Sequence, residues 1–180
     1  GCGPPLKVPL EDDFACAGSG AAMWSLVGAA EGPAWAIDGT PSAPGYTSPL
    51  CSLNFNDGKN YTCAPGQEAV KGTATSHWID MSGQDSGAKT IVSFKLAGAW
   101  ELGNWDRLQL LGTTDGESWQ LIQELEHSQP FTWHKHAINI GAYSGSKFRL
   151  RFSFDTTDCF DNSAPGPFID DLKIAVPPCA

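Results

Sequence analysis

Over the second half of the chain, apolar and polar residues alternate with a period of two. Val92, Phe94 and Leu96 are separated by Ser93 and Lys95, the pattern of a strand with one buried face. Leu108 and Leu110 alternate with Arg107 and Gln109. Asp115-Gly116 then supplies a hairpin turn, and a second strand is predicted from Trp119 to about Leu125. Ile138 and Ile140 share a face ahead of a Gly/Ser turn between Tyr143 and Ser146. The clearest strand follows, with Phe148, Leu150, Phe152 and Phe154 on one side and Arg149, Arg151 and Ser153 on the other. A last strand runs from Phe168 to Val176, where Pro177-Pro178 stops it. The first half reads as short strands and loops, with Ser, Gly, Ala and Pro clustered around Trp24, Trp35 and Tyr46. The Pro/Gly-rich stretch 39–49 is a long connection rather than a boundary between two cores. The prediction is one all-β domain over residues 1–180, an antiparallel β-sandwich.

Composition agrees and narrows the classes. Twenty glycines and 13 prolines leave no room for long helices. Seven Trp and nine Phe supply the burial that disordered chains lack. No apolar run approaches the roughly 18 residues of a membrane span. The net charge is -9, with 11 Lys and Arg scattered along the chain. Nucleic acid is excluded as a partner, because neutralising phosphates takes clustered basic residues.

Six cysteines, none spaced as CxxC, read as disulfides in an oxidising compartment. Cys51–Cys63 would staple the polar loop CSLNFNDGKNYTC, Cys2–Cys179 would tie the ends, and Cys16–Cys159 would remain. In an alternative reading, Gly1-Cys2 is the remnant of a bacterial lipoprotein box and Cys2 carries a lipid anchor, leaving one thiol unpaired. No secretory signal stands at the N-terminus, so any such segment has been removed or lies outside this sequence; the cysteines carry the expectation of a secreted or cell-surface bacterial protein. Asn60-Tyr61-Thr62 satisfies the glycosylation sequon, which matters only in a eukaryotic secretory route.

Several segments are familiar as a set. SHWIDMSG, the TIVSFKL strand, WDRLQLLGTTDGESW, WHKHAINIGAYSGSKFRLRFSF and GPFIDDLKI occur in that order. Together they resemble the MAM-like jelly-roll modules of secreted proteins, including those attached to immune inhibitor A-type metallopeptidases. CSLNFNDGKNY and GTATSHWIDMSG are similar to the version found in bacterial, notably myxobacterial, surface proteins. The resemblance implies a concanavalin-like jelly roll that serves binding, adhesion or accessory roles without catalysing a reaction. It also implies that the first and last strands lie together, and that Trp119 and Trp133 pack in the core. Fold alone does not settle the ligand.

Two candidate sites follow. Asp155, Asp158, Asp161, Asp170 and Asp171 crowd the C-terminal stretch, and Glu11, Asp12 and Asp13 crowd the N-terminal one. If the end strands meet, Glu11, Asp13, Asp170 and Asp171 could gather the oxygen ligands of a structural calcium. Alternation puts Asp170 on the face of Leu172 and Ile174, where its charge needs a metal, an Arg or backbone amides. A solvated acidic loop is the competing reading. The second site is the segment 99–105, with Trp100 and Trp105 beside Glu101 and Asn104. Indole faces next to polar groups suit sugar rings, whereas indoles capping the core would be purely structural.

Other motifs fail. His134 and His136 face one way but lack a third metal ligand nearby, so His136 reads as half-buried. Residues 54–60 are similar to an EF-hand loop, but they are out of register and Pro65 stands where the closing Glu should be. Residues 113–119 are similar to a sialidase Asp-box that occurs once and one residue short. No HExxH, GxSxG or P-loop is present. The expectation is a non-catalytic extracellular module that binds carbohydrate. Protein–protein adhesion at the cell surface is the first alternative and a glycan-degrading enzyme the second.

Overall fold

The computed structural model describes residues 10–16, 23–39, 51–128 and 131–176. The described residues form two antiparallel sheets packed face to face. The strands are β1 (Leu10–Asp12), β2 (Trp24–Val27), β3 (Ala34–Asp38), β4 (Ser52–Asn56), β5 (Lys71–Ser76), β6 (Ile79–Asp80) and β7 (Ile91–Ala99). They continue with β8 (Asp106–Thr113), β9 (Gln120–Leu125), β10 (His134–Asn139), β11 (Lys147–Thr156) and β12 (Gly166–Ala175). One sheet has the order β10-β7-β12-β4-β3, with β1 pairing β12. The other has the order β2-β5-β11-β8-β9, with β6 pairing β11. The predicted all-β sandwich is therefore the observed architecture. The stretch 39–49 falls almost entirely outside the described residues.

Alternation builds the core as predicted. Phe94 and Leu96 from β7 and Ile169 and Leu172 from β12 meet Phe152 and Phe154 from β11 and Leu108 and Leu110 from β8. Phe94 sets its ring edge-on to Phe152 at 5.4 Å, and Phe55 approaches Phe154 at 5.1 Å, so aromatic pairs join the two sheets.

One irregularity decides where the C-terminal carboxylates go. On β12, Phe168, Ile169 and Asp170 pair with Ala97, Leu96 and Lys95, but Lys173 pairs with Ser93. This bulge inserts one residue between Asp170 and Lys173, and Asp171 takes a φ of 49°. A one-residue insertion reverses side-chain parity. Asp170 therefore shares the outward face of Lys95, opposite to Leu172 and Ile174; the unbroken alternation read from the sequence is corrected. On its other edge, β12 pairs with β4 before the bulge and with β1 after it. The first and last strands do lie together.

The disulfides also differ from expectation. Cys16 bonds Cys51 and Cys63 bonds Cys159, with Cα–Cα separations of 5.5 and 5.7 Å. Cys51–Cys63 and Cys16–Cys159 are thereby corrected. β4 lies extended between Cys51 and Cys63, its five residues carrying the chain about 17 Å along β12, and Cys63 reaches Cys159 at the far end instead. Cys51 is left beside the gap between β4 and β1, where Cys16 stands. Cys2 and Cys179 lie outside the described residues.

Candidate functional site

The 100–105 loop joins β7 to β8 and is held from beneath. Tyr61 is fully buried, and its hydroxyl donates to Asp106 Oδ2 at 2.5 Å. The Glu101 backbone N–H donates to the same two groups, at 3.1 Å to Tyr61 Oη and 3.3 Å to Asp106 Oδ2. Burial pushes the Asp106 carboxyl up, against the hydrogen bonds from Tyr61 and Glu101 that favour its charged form. The Tyr61 hydroxyl is pushed well above its ordinary value, first by burial and then by donating to Asp106. Thr157 N–H donates to the Trp105 carbonyl at 2.9 Å, which ties the 156–162 loop alongside. The Cys63–Cys159 bond closes the same end of the sandwich.

On this support the two candidate tryptophans separate. Trp105 is 53% exposed, and Leu102 and Phe160 are also exposed at this end. Trp100 is 5% exposed, packed edge-on to His127 at 4.8 Å and to Phe154 at 6.1 Å. A Cβ on Gly98 would strike its ring, so the glycine is what lets the indole lie flat against β7. Trp100 is a core residue, which corrects its reading as a ligand platform. Glu101 is half-buried, and exposed Asn104 accepts from Arg107 at 3.4 Å. Trp105, Glu101 and Asn104 thus share one presented loop.

The predicted metal ligands are dispersed among lysines. Glu11 faces Lys173 at 3.7 Å, Asp171 pairs with Lys95 at 2.8 Å, and Asp13 accepts the Ala15 N–H. Glu11, Asp13 and Asp171 do line one pocket of about 310 Å³ with Lys95, Lys135 and Lys173. Among the described residues no three His, Cys, Asp or Glu side chains come together as a metal shell. Asp170 is completely buried and accepts the Asp171 N–H. The carboxylate left out of the expected ligand set, though named in its cluster, is Asp12. It is buried beside β12 and accepts the Phe14 N–H and the Trp24 indole N–H, each at 2.8 Å. Burial pushes its carboxyl up, and the nearby charge of Asp170 adds to that.

His136 is half-buried, with its ring stacked on Phe94 at 5.4 Å. Burial, then the charge of His134, lowers its pKa. Trp119 and Trp133 are both only half-buried. Trp119 lies on the outer face of the second sheet under Arg151, which corrects its expected place in the core.

No protein-family model and no curated protein matches the chain. Solved structures do. TmCBM61, solved in complex with β-1,4-galactotriose, aligns over 96% of this chain and 100% of its own, with a TM-score of 0.57 and 12% identity. The CBM22-1 xylan-binding domain of Paenibacillus barcinonensis Xyn10C aligns over 97% of each chain, with a TM-score of 0.52 and 13% identity. An arabinose-bound α-L-arabinofuranosidase, MgGH51, aligns over 93% of this chain but only 26% of its own, with a TM-score of 0.55 and 12% identity. At such identities the likeness is one of fold: the chain has the jelly-roll β-sandwich of these domains.

Proposed function

We propose that the protein is a non-catalytic carbohydrate-binding module of a secreted or surface-attached bacterial protein. The observation that carries this reading is the exposed Trp105, presented on a loop that the Tyr61–Asp106 pair holds in place. A sugar ring can lay its apolar face on the indole while Glu101 and Asn104 meet its hydroxyls. Full-length alignment with two domains solved as binders of galactotriose and xylan supports it. The two disulfides fit an oxidising compartment. Among the described residues no helix is long and apolar enough to cross a membrane. The quoted motifs support placement among the MAM-like modules.

Titration with β-1,4-galactotriose and xylo-oligosaccharides tests the site. Trp105→Ala should weaken binding roughly tenfold or more, about 1.4 kcal/mol, without lowering Tm. Unchanged affinity across the panel in this variant would discard the site.

Calcium belongs to the same proposal, narrowed to Asp12 and Asp170, with backbone carbonyls needed to complete a shell. Hard carboxylate oxygens buried where β1 meets the bulge fit that ion better than the lysine-paired Glu11 and Asp171. Calcium added to chelator-treated protein should raise Tm, and Asp170→Asn should abolish the rise. An unchanged Tm in the parent protein ends the calcium reading.

A further inference from the structure

The outward face of the second sheet carries a second set of ligand-type groups that Trp105 does not reach. Because Phe148, Leu150, Phe152 and Phe154 fill the core, β11 places Arg149, Arg151, Ser153 and Asp155 in a row on the outside. Each arginine lies on an indole. The Arg151 guanidinium carbon is 3.6 Å from the centroid of Trp119, and that of Arg149 is 5.8 Å from Trp78. Each Nε–H is also committed, Arg149 to the Ser76 carbonyl at 2.7 Å and Arg151 to Thr75 Oγ1 at 2.9 Å. Ring face and Nε together hold the two planar groups, while their terminal Nη groups have no protein acceptor among the described residues.

Charge is the unusual part. The chain has 20 Asp and Glu against 11 Lys and Arg, yet among the described residues neither Arg149 nor Arg151 meets a carboxylate at ion-pair distance. The two sit two positions apart on one strand, about 7 Å, so their like charges oppose one another. Trp78 remains 45% exposed beside them, with the Gly116 turn against its ring edge. The row runs on into a pocket of about 450 Å³ whose walls include Thr73, Ser153, Lys71 and Val27. Asp155 closes its far end.

We propose that this face binds a carboxylate-bearing saccharide, with Arg149 and Arg151 taking the acid groups. Guanidinium forks match carboxylates bidentately. The exposed indole of Trp78 offers a stacking surface, and the adjoining, mostly apolar pocket, with the Thr73 and Ser153 hydroxyls in its wall, accommodates a neighbouring sugar. The site shares with the Trp105 reading only the broad class of ligand and none of its residues.

Calorimetric titration of the whole chain with tri-galacturonic acid tests this, set against its methyl ester, neutral β-1,4-galactotriose and a poly-glutamate peptide. Tri-galacturonate should bind in a salt-sensitive manner, and its methyl ester at least tenfold more weakly. Arg149→Gln and Arg151→Gln should each cost tenfold or more, while Trp105→Ala leaves this binding unchanged. Arg151→Lys keeps the charge and the indole contact but lacks the fork, so it should also weaken binding, and it serves if the glutamine variant does not fold. Absence of binding, equal binding of acid and ester, or full affinity in the arginine variants overturns the proposal. So does equal affinity for poly-glutamate. Loss of neutral-sugar binding in Trp105→Ala with tri-galacturonate binding intact would separate the two sites.

Discussion

Tyr61 and Asp106 show how one hydrogen bond sets the position of a loop. Asp106 is buried and its folded pKa is raised, so its protonated form favours the folded state. The stabilisation due to this shift is fully present below the ordinary carboxyl pKa and is lost as pH rises through the folded value. Tyr61→Phe removes the hydroxyl that favours the charge and pushes that value higher still. The expected cost at pH 7 is about 1–3 kcal/mol, shrinking as Asp106 protonates under acid; urea denaturation at pH 7 and pH 4 measures both. At this scale the sequence was only partly legible. Extending the alternation Val92, Phe94, Leu96 past Gly98 puts Trp100 on the core side, a signal that was present and outweighed by the polar residues around it. Arg149 and Arg151 were placed outward by parity, but their stacking on Trp78 and Trp119 joins residues distant in sequence.

At the scale of elements, period-two alternation located β7, β8, β11 and β12, because each buries one face against the opposite sheet, whereas β9, largely exposed, was legible only from the Asp115-Gly116 turn before it. Alternation failed where a strand changes phase. The β12 bulge adds one residue where the strand exchanges its edge partner from β4 to β1, and nothing local in FIDDLKI marks it. Asp170 was therefore assigned to the wrong face although its burial was anticipated. The short strands β2 and β3 were hidden among small residues, since their pairing with β5 and β4 is set by partners far along the chain. Disulfide connectivity was illegible for the same reason. Whether Cys51 and Cys63 are close depends on β4 lying extended between them.

At the scale of the molecule, the Cys63–Cys159 bond spans 96 residues. Closing a loop of that length in the unfolded chain contributes about 4–5 kcal/mol. Replacing both cysteines by serine should lower Tm substantially, and non-reducing peptide mapping should recover the Cys16–Cys51 and Cys63–Cys159 peptides. Recovery of a Cys51–Cys63 peptide would contradict this fold. The position of β12 has a consequence for the timing of folding. It hydrogen-bonds to β7 on one side and to β4 and β1 on the other, so three strands from both halves of the chain wait for it. Until residues 166–175 have been synthesised, the sheet containing β12 has no centre, and the aromatic face of the other has nothing to close on. A chain synthesised from its N-terminus would thus complete neither sheet until β12 emerges, so folding follows the synthesis of residues 166–175 rather than accompanying it.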